Sequence, residues 1–410
     1  MSRLILLCVG RIGTCMGTMA FAGALPVLSR EWAMDAATAG AIQTTFNLAN
    51  ALALFVAAYL SDRFGACRIY LFCIWSGALA LALFALFAHS AVSALPLITL
   101  VGLTQGGAYA PALMLATDLS STSARGRTMG MVLASGSLGY MLSIVFALWG
   151  ATKFGAMAGL AICAVGGLIG AIVGHISLAG RKVDSLPPTL GVLASSNVRL
   201  DSWYSALGPA SFCLLIGYVA HCWELLGNFA WTPSLLATAL KPLQLGAITT
   251  GLIIGASIHL SGMVATFVFG VLSDAWPRTR VLILVAAAGA LCSLLTGMSI
   301  QWGPAWTVAV AAIGSFFIFG DSGVLTAAMT EEVPLGRLGR VMGIRSLLGF
   351  GAGALAPISF GAIFDSTQKW EWAYSVLAFG GGIALISAIT LRFVAAGSSS
   401  RAALFKTDAH

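Results

Sequence analysis

Two stretches decide how this chain is read: YLSDRFGACR, residues 59 to 68, and GVLSDAWPRTR, residues 270 to 280. Each runs leucine, serine, aspartate, then a turn and arginine, and each follows an apolar run long enough to cross a bilayer. Aligning Asp62 with Asp274 gives an offset of 212 residues. A second pair agrees: TDLSSTSARGRTMG at 117 to 130 and TEEVPLGRLGRVMG at 330 to 343 align Gly126 with Gly339, an offset of 213. Two matches within one residue of a common offset describe a chain built from two parallel repeats.

The composition fits only a membrane protein. Of 410 residues, 59% are hydrophobic and 9% charged, and the mean hydropathy is +0.95, far beyond a soluble domain. The expected fold is all-α and polytopic, with twelve transmembrane helices in two six-helix bundles. The spans read from the sequence are 5–28, 39–59, 69–88, 95–116, 128–149, 157–178, 206–234, 245–272, 281–299, 305–329, 341–364 and 372–393. The first is read as a retained span, because it exceeds a signal segment and carries Arg11 inside and Pro26 near its far end. This divides the chain into a bundle at 1–178, a link at 179–205, a bundle at 206–396 and a tail at 397–410.

The net charge of +7 follows the loops, which argues against a nucleic-acid partner. With a cytoplasmic N-terminus, sixteen basic residues fall inside, Arg345 counted among them, against Arg30, Lys153, Lys241 and Lys369 outside. Both termini are therefore expected in the cytoplasm, in a bacterial inner membrane. Eight cysteines without a CxxC spacing read as free thiols, and no metal or cofactor is expected.

An ionisable group at the bilayer centre costs about 2.5–3.5 kcal/mol on insertion scales, so each needs a reason. The candidates are Arg11 in span one, His221 and Glu224 in span seven, His259 in span eight and Asp321 in span ten, with the neutral Gln43, Asn47 and Gln105. In HCWEL, residues 221 to 225, histidine and glutamate are three apart, on one helix face and within reach of each other or of a common ligand. They read as lying beyond the middle of span seven towards the outside. Such a pair can take up and release a proton, or it can simply brace one helix against another. Arg11 can snorkel to the cytoplasmic surface, bind an anion or pair with Asp321.

The stretch from Ala58 to Arg68 resembles the loop signature of the major facilitator superfamily: Asp62, Arg63, Gly65 and Arg68 match, and Ala58 replaces a leading glycine. In the second copy Gly270, Asp274 and Arg280 match, while Ala275 and Pro277 depart. GLTQGGAYAP, residues 102 to 111, resembles the superfamily's glycine-rich fourth helix, with Gly102 where arginine is often found. The resemblance implies that spans 1, 2, 4, 5, 7, 8, 10 and 11 line a central cavity, and every candidate above lies on one of them. It also implies a cytoplasmic latch in which Asp62 meets the start of span eleven and Asp118 joins the charges. The alternative is that these charges only fix topology. YVAHCWELLGNFAW, residues 218 to 231, is similar to span seven of bacterial members near the cyanate and nitrate/nitrite transporters, although Asn47 and His259 stand where nitrate porters carry paired arginines.

The function expected is a monomeric, non-enzymatic secondary transporter of a small organic anion, working by alternating access with the proton as coupling ion. Alternatives are uncoupled facilitated diffusion, a drug or metabolite efflux antiporter, and a non-transporting sensor or assembly factor. No phosphate-binding GxxxxGK[ST] loop suggests an ATP motor, and no nucleophile accompanies the histidine and acid to suggest an intramembrane enzyme.

Overall fold

The glycines along the spans fix how closely the helices approach. In the computed structural model, which describes residues 2–119, 125–180, 208–333 and 335–406, a Cβ on Gly106 of span four would stand 2.2 Å from the Asn50 carbonyl oxygen of span two. One on Gly13 of span one would stand 2.5 Å from the Gly166 oxygen of span six. Backbones this close gain dispersion contact where lipid supplies no hydrophobic drive.

Among the described residues every regular element is helical, and twelve helices are long and apolar enough to cross a membrane. They are Arg3–Glu31, Ala36–Phe64, Ala66–Phe87, Ala91–Asp118, Thr128–Phe154, Ala156–Leu178, Pro209–Leu243, Ala247–Ala275, Arg278–Trp302, Pro304–Glu332, Val341–Thr367 and Trp370–Ala395. The chain is an all-α, multi-pass integral membrane protein. Two bounds depart furthest from the sequence reading, the others lying within five residues. Span seven continues to Leu243 rather than ending at Ser234, because Pro233 is absorbed inside the helix. The last helix runs from Trp370 to Lys406, past Phe393. The expected link at 179–205 falls almost wholly outside the described residues. All eight cysteines are buried and none forms a disulfide.

The buried apolar residues show how the two six-helix halves meet. At the face carrying the Asp62–Arg68 and Asp274–Arg280 turns, here called the basic face, each half has its own core. One gathers Leu7, Tyr70, Leu115 and Val132, and the other Leu214, Phe269, Leu282 and Val324. At the opposite face the cores merge: Phe21, Ile42 and Phe84 share a cluster with Trp231, Phe360 and Tyr374, and Met19 and Ile144 share one with Leu236 and Ile254. The apolar cores of the halves are therefore merged at one face and distinct at the other.

The joint is made of backbone. A Cβ on Gly40 would stand 2.3 Å from the Pro357 oxygen and one on Gly361 2.2 Å from the Ala36 oxygen, so spans two and eleven touch main chain to main chain. Spans five and eight do the same through Gly251, whose Cβ would stand 2.8 Å from the Val145 Cα. Asp365 closes the contact by accepting the amides of Ala36 at 2.9 Å and Ala37 at 2.6 Å, placing a carboxylate on the positive end of span two. Asp35 caps the same helix, with Oδ1 accepting the Thr38 amide at 2.8 Å.

Replacing Gly361 by valine should therefore cost about 1–3 kcal/mol, read as a lower unfolding temperature in detergent, whereas Gly270→Ala, with nothing near its Cβ, should leave it unchanged. Hydrogen bonds from the Thr38 hydroxyl and amide hold the Asp35 carboxyl below the usual aspartate range. Its capping contribution is thus present above the unfolded pKa and lost as pH falls through the lower folded one. Asp35→Ala should lower the unfolding temperature at neutral pH, with the difference from wild type closing in acid.

Candidate functional site

Three spans break within the membrane, and the breaks arrange the polar side chains. Span one is helical over Ser2–Thr14, tightens to a 3-10 turn at Cys15–Gly17 and resumes at Ala20–Glu31. The released Thr14 carbonyl accepts Gln105 Nε2 at 3.0 Å, the Thr18 hydroxyl donates to Gln105 Oε1 at 3.1 Å, and the Ser143 hydroxyl donates to the Met16 carbonyl. Backbone groups freed in a bilayer must find such partners. Gln105 thus braces span one.

Span eight widens into a π-turn at Ala256–Leu260 between Ala247–Gly255 and Ser261–Ala275, a feature that often accompanies functional positions. It carries His259, whose ring lies 5.4 Å from Tyr140, 5.2 Å from Phe229 and 6.4 Å from Phe319 between centroids. Neither ring nitrogen has a protein partner. In span two, Gln43 Nε2 donates to Asn47 Oδ1 at 3.3 Å, which leaves Asn47 Nδ2 unpaired. Thr44 Oγ1, Asn228 Oδ1 and Ser315 Oγ are also buried without a partner. Spans two, seven, eight and ten therefore supply unpaired donors and acceptors, the kind of groups a polar solute would satisfy. Span eleven breaks before Ala356, with Pro357 in the first turn of the resumed helix.

The charged candidates pair differently from the sequence expectation. His221 and Glu224 do not meet each other. His221 Nδ1 lies 2.6 Å from Asp321 Oδ1 of span ten. No donor is aligned for a hydrogen bond on that oxygen. Glu224 instead accepts the Ser293 hydroxyl of span nine at 2.5 Å, in a space left by Gly289 and Gly381 of spans nine and twelve. The extension of span seven to Leu243 also puts His221 on the basic-face side of its middle. Arg11 pairs with neither the surface nor Asp321. It is 4% exposed, its Nε donates to the Val132 carbonyl at 3.2 Å, and its guanidinium lies 5.3 Å from the Tyr109 ring centroid.

At the basic face, Gly65 takes a φ of 90° between spans two and three, which glycine alone adopts without strain. Asp62 is half-buried, Arg63 and Arg68 are exposed, and Arg63 lies 5.3 Å from the Phe64 ring. The expected partners of Asp62 at the start of span eleven, and the basic residues after Asp118, have side chains outside the described residues. In the second half the paired arginine is Arg278 rather than the expected Arg280: its Nη2 and Nε meet Glu331 at 2.5 and 2.7 Å, with Asp274 at 3.7 Å. Arg278 and Ser293 were missed by sequence reasoning, as was Arg345. The last was counted as a loop charge but is buried on span eleven; its place after Val341, inside an apolar run, was the available signal.

Two six-helix halves, their cores merged at one face, with unpaired polar groups on spans two, seven, eight and ten, define a membrane transporter. Comparison with known proteins agrees. The model of the Major Facilitator Superfamily matches residues 7–357, and the chain belongs to that superfamily. It is 26% identical over 354 residues to a probable 4-methylmuconolactone transporter of Cupriavidus pinatubonensis, covering 84% of this chain and 79% of the relative. It shares the fold of a crystallised nucleoside transporter NupG mutant, with a TM-score of 0.75 at 14% identity over 95% of this chain and 98% of that one. It also shares that of a bacterial homologue of the human lysosomal transporter Spinster, crystallised inward-facing and unoccupied, with a TM-score of 0.72 at 15% identity over 96% and 95%. The protein moves a small molecule across a membrane and is not an enzyme.

Because Glu224 is buried against Ser293, truncation should leave the serine hydroxyl unanswered. Glu224→Ala should cost about 1–3 kcal/mol, and Glu224→Gln, which keeps an acceptor, clearly less, as measured by thermal unfolding in detergent.

Proposed function

We propose that the protein is a proton-coupled secondary transporter of a small organic anion, and that His221 and Asp321 hold the coupling proton. The observation that carries the reading is the buried 2.6 Å contact between them, on spans seven and ten. An ion pair withdrawn from water survives only while both partners are charged. Protonating Asp321 removes the attraction and loosens span ten from span seven, giving each proton taken up a structural effect.

The organic-anion assignment is supported by Arg11, a permanent cation with no carboxylate partner among the described residues, and by His259 with its unpaired nitrogens. The named substrate of the relative, 4-methylmuconolactone, is a small lactone acid, and the similarity of span seven to cyanate and nitrate/nitrite transporters points to the same charge. Basic residues concentrate beside the Asp62 and Asp274 turns, which favours a cytoplasmic basic face with both termini inside. The cores on that face are distinct in the two halves, which supports it as the side that opens. One chain carries both halves, so it is expected to act as a monomer. The first-half charges Asp62, Arg63, Arg68 and Asp118, with Asp274 and Arg280, are proposed to close that face in the other half of the cycle.

In proteoliposomes, an acid-outside pH gradient should drive accumulation of radiolabelled 4-methylmuconolactone. Asp321→Asn should lower gradient-driven uptake at least tenfold, while exchange of internal for external substrate continues. Gradient-driven accumulation that Asp321→Asn leaves intact would remove the pair from proton coupling.

A further inference from the structure

Arg345 is left over once the His221–Asp321 pair is assigned. It stands on span eleven, is 2% exposed, and its guanidinium lies 3.5 Å from the Tyr218 ring centroid of span seven. Its hydrogen bonds go to neutral groups: Nη2 donates to the Thr326 hydroxyl at 3.0 Å and Nη1 to the Met342 sulfur at 3.6 Å. Nε is buried without any acceptor. Asp321 is near enough to interact electrostatically, yet its close contact is with His221.

Arg11 is the matching group in the other half, with one carbonyl acceptor and the face of Tyr109. Neither arginine has a carboxylate at ion-pair distance among the described residues. A guanidinium cannot shed its charge when desolvated. Two such groups, each stacked on a tyrosine and short of acceptors, lack an anion.

We propose that Arg345 anchors a carboxylate site where spans seven and eleven meet in the second half. The ligand carboxylate satisfies Nε and replaces the weak sulfur acceptor. This rests on the organic-anion reading above and adds the residue that holds the charge. A purely structural Arg345 would tie span eleven to span seven by its stack on Tyr218, and the two roles are separable.

The full-length protein in detergent is titrated with cis,cis-muconate, with adipate as its saturated counterpart and dimethyl muconate as the neutral control, following tryptophan fluorescence. Muconate and adipate should both bind, and the ester should not. Arg345→Gln should raise the muconate Kd at least tenfold, and Arg345→Lys should recover part of the loss. In the wild type, muconate but not its ester should protect Arg345 from phenylglyoxal, read by mass spectrometry, which needs no variant to fold. An unchanged Kd in Arg345→Gln, absence of protection, equal binding of the ester, or no binding of either acid would overturn the proposal. Proton-driven uptake with an unchanged Kd in Arg345→Gln would sink the site and spare the transport reading. Muconate binding through Arg345 without proton-driven uptake would do the reverse.

Discussion

The backbone contact between spans two and eleven is the constraint on which the rest of the structure depends. Gly40 against Pro357, and Gly361 against Ala36, bring two main chains together with no side chain between them. Asp365 from the second half takes the first amides of span two, so the contact is polar as well as close. Spans five and eight repeat the arrangement at Gly251. With both joints at one face, the apolar cores fuse there and remain separate at the other. The joints thus hold the halves together at the face opposite the basic turns in this structure.

The same economy of backbone governs the middle of the membrane. Each broken helix exposes groups that lipid cannot satisfy, and span one answers with Gln105 and Ser143. Those side chains are thereby committed to structure. The polar atoms on Asn47, Asn228, His259 and Ser315 are left without a protein partner, and the proposed site draws on that distinction between committed and unpaired groups rather than on polarity alone.

Much of the fold was legible because it is written in one dimension. Span count and the repeat depend only on hydropathy along the chain and on two short turns, Asp62 with Asp274 and Asp118 with Glu331. The site depends on which way each helix faces, which hydropathy does not record. His221 and Glu224 share a helix and lie three apart, yet one meets span ten and the other span nine. A three-residue step turns a helix by about 60° away from a full revolution, enough in a crowded bundle to select different neighbours. Gln105 could be placed on its helix but not assigned its task, since the break in span one has no proline to announce it. Arg345 lay inside the span read at 341–364 and was still counted with the loop charges, because it stands about one turn from the start of that span.

The π-turn of span eight bears on how the two repeats correspond. Gly40 and Gly251 perform the same task in the two joints and stand 211 residues apart, whereas Asp62 and Asp274 beyond them are 212 apart. The extra residue lies between, and the widened turn at Ala256–Leu260 is where the helix absorbs it. Any residue-by-residue equivalence drawn between the halves must therefore slip by one at His259. Positions before and after that turn have different counterparts in span two, and the duplicated halves are no longer exact copies at the depth where a solute would sit.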